Sequence, residues 1–450
     1  MFLKMASIRL INHSSVLFEE EGNYILTDPW YQKPAFGSWL PVPPTSIHPS
    51  YLVYLSQAAK SFAILISHGH DDHFDDDFLS LFPSDTQIII PKYRSKGVFF
   101  RAKAAGLNNI LEVDMKGTTW SNFKIKSFIN SDISGDDAIL TIAGKEHFLV
   151  HANDNWQPLP KLHIETIRKD FLQYQKRKTL YMSQCNLADG WPNIYKDYSN
   201  QEKKKIHHDR VVNIILQGVK NCKEVGIENF LNYAGYAASF IQNKEHLRET
   251  TSFQSNSFVK NIAKKNSIDI EIIDMLPGDS FNFSGVKKLF PNTKANEALL
   301  KKSSFEFYEH YDIIRECDSY KEHGEPISVD MTKIAHKLDQ FLLEFKIFVS
   351  DRVDKYNFYE NVKEYALELK VGEASSVTSF GPDIQVDKKV TFFLEQRVAN
   401  SLLKGTINWE NLYVGYDSEI ETTPKDTNAA PIIRWLSMYG YKYQRGVKSV

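Results

Sequence analysis

Through the first 150 residues apolar side chains come in short runs, often alternating with polar ones, which is the period of β-strands. Residues 8–18 alternate loosely, 19–23 form a polar hairpin loop and 24–27 a second strand. Further strands are predicted over 62–66, 87–91, 110–113 and 123–128, and residues 137–142 and 147–150 read as a hairpin around Gly144. The spacing becomes helical at Phe78, Leu79 and Phe82, where Asp75, Asp76 and Asp77 supply a cap and first-turn negative charge. A surface helix is predicted over 93–105 and a long basic one over 202–223. Residues 30–46 carry Pro34, Pro41, Pro43 and Pro44 and read as an ordered loop, suited to one wall of a cleft.

From residue 291 the pattern is charged and helical. Helices are predicted over 296–311 and 334–348, the second with Leu338, Phe341, Leu342, Phe345 and Phe348 on one face. Strand-like alternation over 356–390, a helix over 392–403, a strand over 412–416 and a last helix over 430–439 follow. The expected organisation is α/β, with a metal-binding catalytic domain over 1–290 and an α+β accessory region over 291–450.

Composition narrows the class. The 450 residues are 42% hydrophobic and 24% charged, as in soluble globular proteins. Basic residues number 54 against 56 acidic, so a general nucleic-acid or membrane-surface binder is not expected. The opening MFLKMASIRL lacks the apolar core of a secretory leader, and no apolar run is long enough to span a bilayer; a cytoplasmic location is expected. Cys185, Cys222 and Cys317 are far apart and odd in number, which fits reduced thiols.

The chemistry concentrates where the run 62–66 ends, at His68-Gly69-His70-Asp71-Asp72-His73. Three of fourteen histidines fall within six residues, against the alternative of an unrelated polar loop. Side chains two apart at a strand end point the same way, so His68 and His70 can grip one metal ion while Asp72 and His73 turn toward a second. Imidazole with carboxylate suits zinc, iron or manganese, and two such ions can polarise a substrate and activate water. Downstream, a strand ends in His151-Ala152-Asn153-Asp154. Asp154 reads as a metal ligand or a turn residue, and His151 as a ligand or a donor behind one. Asp28, before Pro29, reads on the residues alone as a turn-initiating Asp. His13 reads first as a hydrogen-bonded strand histidine and second as a residue facing the site, and His207, His208 and His246 read as solvated helix positions. No histidine occurs between His73 and His147.

The spacing His-x-His-x-Asp-His after an apolar strand resembles the metallo-β-lactamase superfamily. That resemblance implies an αββα sandwich, makes Asp154 the carboxylate shared by two metals and puts at Asp28 a strand-end carboxylate that orients a ligand histidine; the superfamily's usual third histidine has no counterpart here, and Asp132, Asp136 or Asp137 is the substitute oxygen ligand. Ser183-Gln184-Cys185-Asn186-Leu187-Ala188-Asp189-Gly190-Trp191-Pro192, Phe230 to Tyr236 and Met275-Leu276-Pro277-Gly278-Asp279, in this order, resemble the catalytic region of the CMP-N-acetylneuraminate hydroxylase family, a branch of that superfamily. The resemblance implies substrate contacts from Asp189, Trp191, Asn232, Tyr233 and Gly235. One departure is chemical: no cysteine has a histidine within three residues, so the Rieske cluster of those hydroxylases has no ligands here.

The expected activity is a metal-dependent hydrolase with a mono- or dinuclear site of His68, His70, Asp72, His73, His151 and Asp154, in which Asp72 or Asp154 handles the proton. One or two divalent ions are implied, zinc first, with iron or manganese as alternatives. The substrate is expected to be a small molecule, possible classes being a sugar or nucleotide-sugar. The first alternative is a di-iron monooxygenase on such a substrate, served by a separate redox partner. The second is a binding protein with a degenerate site.

Overall fold

The computed structural model describes residues 7–31, 33–45, 47–129, 137–173, 178–241, 244, 246–289, 297–310, 331–353, 362–380, 386–404 and 407–444. Asp132, Asp136 and Cys317 lie outside them. Two sheets face each other. The first, of eight strands, orders Val286–Lys287, Ser280–Phe281, Ser7–Asn12, Ser15–Glu20, Asn23–Thr27, Ser61–Leu65, Gln87–Pro91 and Ile110–Val113. The second, of seven, orders Glu271–Ile272, Asn229–Asn232, Lys178–Ser183, His147–His151, Ala138–Ala143, Phe123–Ile129 and Thr118–Trp120.

The alternation along each strand builds the layers, because neighbouring side chains project from opposite sheet faces. Ala63, Leu65 and Ile89 point into the core between the sheets, where they join Ile125, Leu140, Ile142 and Leu149. Phe62, Ile64, Ile88 and Ile90 point out, under the helices Pro49–Ala58 and Gly97–Ala104. On the other side Ile139, Phe148 and Val150 pack under Lys161–Gln173, Asn200–Val225 and Asn256–Lys265. The 26-residue helix Asn200–Val225 starts at a capping box of Ser199 and Glu202 and stops at Gly226, in the left-handed region at φ +87°. It is less solvated than expected: His207 is buried, and burial pushes its pKa down to about 4.

Parallel pairing brings the chemistry to one edge. Thr27 pairs with Leu65, so the chain leaves both strands at one level and Asp28 meets Ser67. Across the sandwich, His151 pairs with Met182 and Ser183 with Asn232, again in parallel. The carboxyl ends of both parallel sets therefore open on the same rim, the usual place for a site in such sheets.

The C-terminal part holds a sheet ordered Ala374–Ser379, Tyr365–Val371, Lys388–Leu394 and Ser418–Thr423, with the helix Met331–Ser350 against it. Two expectations there are corrected. Phe392 lies inside the strand Lys388–Leu394, and the helix starts only at Gln396; residues 412–416 begin inside the helix Trp409–Tyr413, whose first amides are capped by Asn408. The alternation of Leu412, Val414 and Tyr416 imitates a strand, but the local cap decides. The helix Glu297–His310, expected in the accessory region, places Phe305 and Tyr308 in the core between the two large sheets. The loop expected over 30–46 contains a three-residue strand, Trp39–Pro41, paired with Ala237–Ser239.

Candidate metal centre

Asp28 sits beneath the rim, fully buried, at the left-handed φ of +35°. Its Oδ1 accepts the Ser67 amide at 2.7 Å, and its Oδ2 accepts the Ser67 hydroxyl at 2.7 Å and lies 2.9 Å from both His73 Nδ1 and His151 Nε2. Burial alone would raise its pKa; the charges and hydrogen bonds of His151 and His73 outweigh it and hold the carboxylate well below its usual range. Ser67 Oγ, having donated to Asp28, is 2.9 Å from His68 Nδ1 and accepts its proton. These contacts place the ring proton of both His68 and His73 on Nδ1, leaving Nε2 of each turned toward the rim.

Two groups of donor atoms converge there, His68, His70 and Asp154 in one and His13, His73 and Asp154 in the other, each with its ligand atoms within 4.8 Å of one another. His68 Nε2 lies 2.7 Å from His70 Nδ1 and 3.9 Å from Asp154 Oδ2. His73 Nε2 lies 3.3 Å from the same Asp154 oxygen and 3.9 Å from Asp72 Oδ2. Asp154 thus stands between the two groups. The donor set fits metal ions: His73 Nε2, Asp72 Oδ1, Asp154 Oδ1 and Asp137 Oδ1 are all buried without a hydrogen bond, which is costly unless something else satisfies them. Burial, with His73 and His70 beside it, keeps His68 neutral well below its usual pKa, the form a metal requires. Burial also opposes the charge on His73, but Asp154, Asp72 and Asp28 outweigh it and hold its pKa well above the usual value.

Asp137 is the one described member of the three carboxylates considered for the missing ligand. Its Oδ1 lies 3.8 Å from His68 Nδ1, and burial together with the charge of Asp154 pushes its pKa up to about 7. His151 corrects an expectation. Asp28 takes its Nε2 and the Tyr233 hydroxyl its Nδ1, at 2.6 Å, so neither nitrogen faces a metal and the ring serves as a support behind the ligands. Of the two readings of His13, the structure supports the one that faces the site: the ring reaches the rim, with Nε2 3.2 Å from Asp72 Oδ2. Its Nδ1 accepts the Gly235 amide at 3.0 Å, which leaves the ring proton of the neutral form on Nε2, facing Asp72. The signal that could have found it is the polar triplet Asn12-His13-Ser14, buried at a strand end between two apolar runs.

A cavity of about 90 Å³ opens beside these donor atoms, lined by His13, His70, Asp72 and Asp154 and walled by Trp30, Phe36 and Trp39. A larger open hollow of about 500 Å³ lies along Lys260–Ile272, away from the histidines; the smaller one carries the chemistry because the donor atoms line it. Of the expected substrate contacts, Gly235 lines the cavity. The others do not. Asp189 is paired with Arg210, which also stacks over Trp191; Asn232 bonds to Gln254 and Asn256; and Tyr233 is buried under His151 and the Asn153 amide. Those four positions were read from short segments whose spatial neighbours the sequence does not display.

Residues 7–152 match the family described as a beta-lactamase superfamily domain. Over 103 residues the chain is 28% identical to a protein named as a Rieske 2Fe-2S iron-sulfur protein from Mycolicibacterium smegmatis, a match spanning 23% of this chain and 19% of that relative's length. Similar solved structures include a metallo hydrolase from Ignicoccus hospitalis KIN4/I (12% identity, TM-score 0.40, covering 64% of this chain and all of that one, 100%). Others are isothiocyanate hydrolase from Delia radicum gut bacteria (11%, 0.39, 61% and 98%) and CmlA, a diiron β-hydroxylase from Streptomyces venezuelae (11%, 0.36, 63% and 54%). The layered α/β architecture and the family match agree on a metallo-β-lactamase fold.

Proposed function

We propose that the chain is a metal-dependent hydrolase of a small-molecule substrate, with a His/Asp centre for one or two divalent cations. The observation that carries this reading is the convergence of two histidine-bearing groups on Asp154, among buried atoms that lack hydrogen bonds. His68 and His70 would hold one cation with Asp154; His73 and Asp72 would hold the second, with His13 beside Asp72. Zinc suits this borderline set first, with iron or manganese as alternatives. When bound, such a cation supplies Lewis acidity and lowers the pKa of water.

The chain's own residues orient and move protons. Asp28 fixes the tautomers of His73 and, through Ser67, of His68. Asp72 Oδ2, 3.2 Å from His13 Nε2, is placed to exchange a proton with it, and Trp30, Phe36 and Trp39 keep bulk water out. Asp154 shares its charge between the two groups.

A second reading, a di-iron monooxygenase on a sugar or nucleotide-sugar, is favoured by the buried Asp137 beside His68, since oxygen-rich donor sets suit iron. It would require electrons from a separate protein. The test is the metal content of the purified chain beside His70→Ala and Asp154→Ala. About two zinc or manganese per chain, reduced in both variants, supports the hydrolase. Iron with absorbance that changes on reduction supports the oxygenase. Folded protein that takes up none of these metals overturns both.

A further inference from the structure

Two side-chain amides stand among the residues that line the cavity with the histidines. Gln184 and Asn186 both line it, both are more than nine-tenths buried, and Gln184 Oε1 and Asn186 Oδ1 have no hydrogen bond. The orientation of the Asn186 amide is settled by its neighbours. Its Nδ2 donates to two carbonyls, Gly235 O at 3.2 Å and Thr251 O at 2.7 Å, and a flipped amide would set oxygen against oxygen at both. The acceptor is therefore the atom left over.

The third member comes from the C-terminal part. Glu410, in the helix Trp409–Tyr413, lines the same cavity, and an ionised carboxylate only accepts. That helix is held at the cavity edge by close contacts. Trp39 Nε1 donates to Val414 O at 2.8 Å, and a Cβ on Gly190 would stand 2.6 Å from the Tyr413 ring. The cavity, about 90 Å³, has room for about three waters at ~30 Å³ each, or for one small polar group.

We propose that Gln184, Asn186 and Glu410 form an acceptor wall that selects a substrate group carrying N–H or O–H donors, an amine or a hydroxyl, beside the metal ligands. Gln184 Oε1 and Asn186 Oδ1, buried acceptors without a hydrogen bond, discriminate strongly, because an apolar group leaves them unpaired whereas a donor satisfies them. The inference rests on the metal-centre reading, which supplies the other end of the site.

The test uses the full chain loaded with zinc and three hydroxamates: β-alanine hydroxamate, 3-hydroxypropionohydroxamate and butyrohydroxamate. They share a metal-binding head and differ in a tail ending in ammonium, hydroxyl or methyl. Calorimetry should show at least one donor-tailed probe binding about tenfold or more tightly than butyrohydroxamate. Gln184→Met and Glu410→Gln, checked for unchanged thermal midpoints, should shrink that advantage severalfold while leaving butyrohydroxamate unaffected. An advantage for the ammonium tail that Glu410→Gln removes identifies an amine; one for the hydroxyl tail identifies a hydroxyl. Equal binding of all three probes, or a preference untouched by both variants, overturns the acceptor wall alone. Failure of every hydroxamate to bind overturns the metal centre, and the wall with it.

Discussion

At the scale of single residues the site depends on Asp28, which no metal would touch. One carboxylate group serves His73 and His151 directly and His68 through Ser67. Asp28→Asn keeps its shape but replaces a charged acceptor by a neutral amide, so the Nδ1 protons of His73 and His68 lose the group that orients them. Zinc affinity should fall about 10–100-fold with the fold retained, as for other carboxylates behind ligand histidines. Competition against a chromophoric chelator, with far-ultraviolet circular dichroism as control, reads both; unchanged affinity would contradict the role. Gly235 makes a second case. At φ +138° its Cβ would lie 2.6 Å from Asn186 Cβ and 3.0 Å from Asn186 N. Gly235→Ala should therefore cost about 1–3 kcal/mol in urea unfolding. His68, His70, Asp72 and His73 were legible in sequence because one strand end delivers all four. His13 was less so, since it meets Asp72, 59 residues further along the chain, only when the two strands before them reach the same rim, a distance that leaves no local pattern.

At the scale of elements, the two sheets are tied by Glu20. It sits at the end of the strand Ser15–Glu20, and its carboxylate accepts the amides of Lys145 at 2.7 Å and Glu146 at 3.1 Å and faces His147 Nδ1 at 2.6 Å. The turn that ends in the strand carrying His151 is thereby pinned to the opposite sheet. Burial opposes the charge on Glu20, but the hydrogen bonds from His147, Lys145 and Glu146 win, and its pKa is lowered. A carboxyl with a lowered folded pKa adds stability that is full above its unfolded value of about 4.5 and fades as the pH falls through the folded one. Glu20→Gln should thus lower stability near pH 7 by about 1–3 kcal/mol and flatten the loss between pH 4.5 and more acidic conditions. Urea midpoints at several pH values would show it, and an unaltered acid slope would sink the assignment. Gly144 was legible as the hairpin turn, and its reason is now specific: a Cβ there would lie 2.2 Å from Glu20 Oε2. The clamp itself was hidden, because Glu20 in sequence reads as one more polar loop residue. Elements with strong period, such as the strands over 62–66 and 123–128, were readable; the switch from strand to helix near Asn408 turned on a cap rather than on periodicity.

At the scale of the whole molecule, the boundary expected near residue 290 meets a continuous core. Trp30, Phe36, Trp39, Ile194 and Tyr195 belong to the same apolar cluster as Leu338, Phe345, Phe392, Leu412 and Trp435. The strand Ser418–Thr423 continues into the metal-binding part through Ile420 N to Ile194 O at 2.9 Å and Lys196 N to Ile420 O at 2.8 Å. Interfaces between independent domains are usually smaller and more polar than this. The aromatic wall of the cavity is part of that core, so losing the C-terminal packing would open the cavity as well. One cooperative transition is expected in calorimetry of the full chain. Gly415 gives the means to test it. A Cβ there would lie 2.1 Å from Phe36 O and 2.4 Å from Asn411 O, both backbone atoms that cannot turn aside. Gly415→Ala should therefore shift the segment against Phe36, cost about 1–3 kcal/mol and lower the midpoint of the whole transition. Two separate transitions, with Gly415→Ala moving only one, would mean that the C-terminal part folds by itself and merely leans on the metal-binding sandwich.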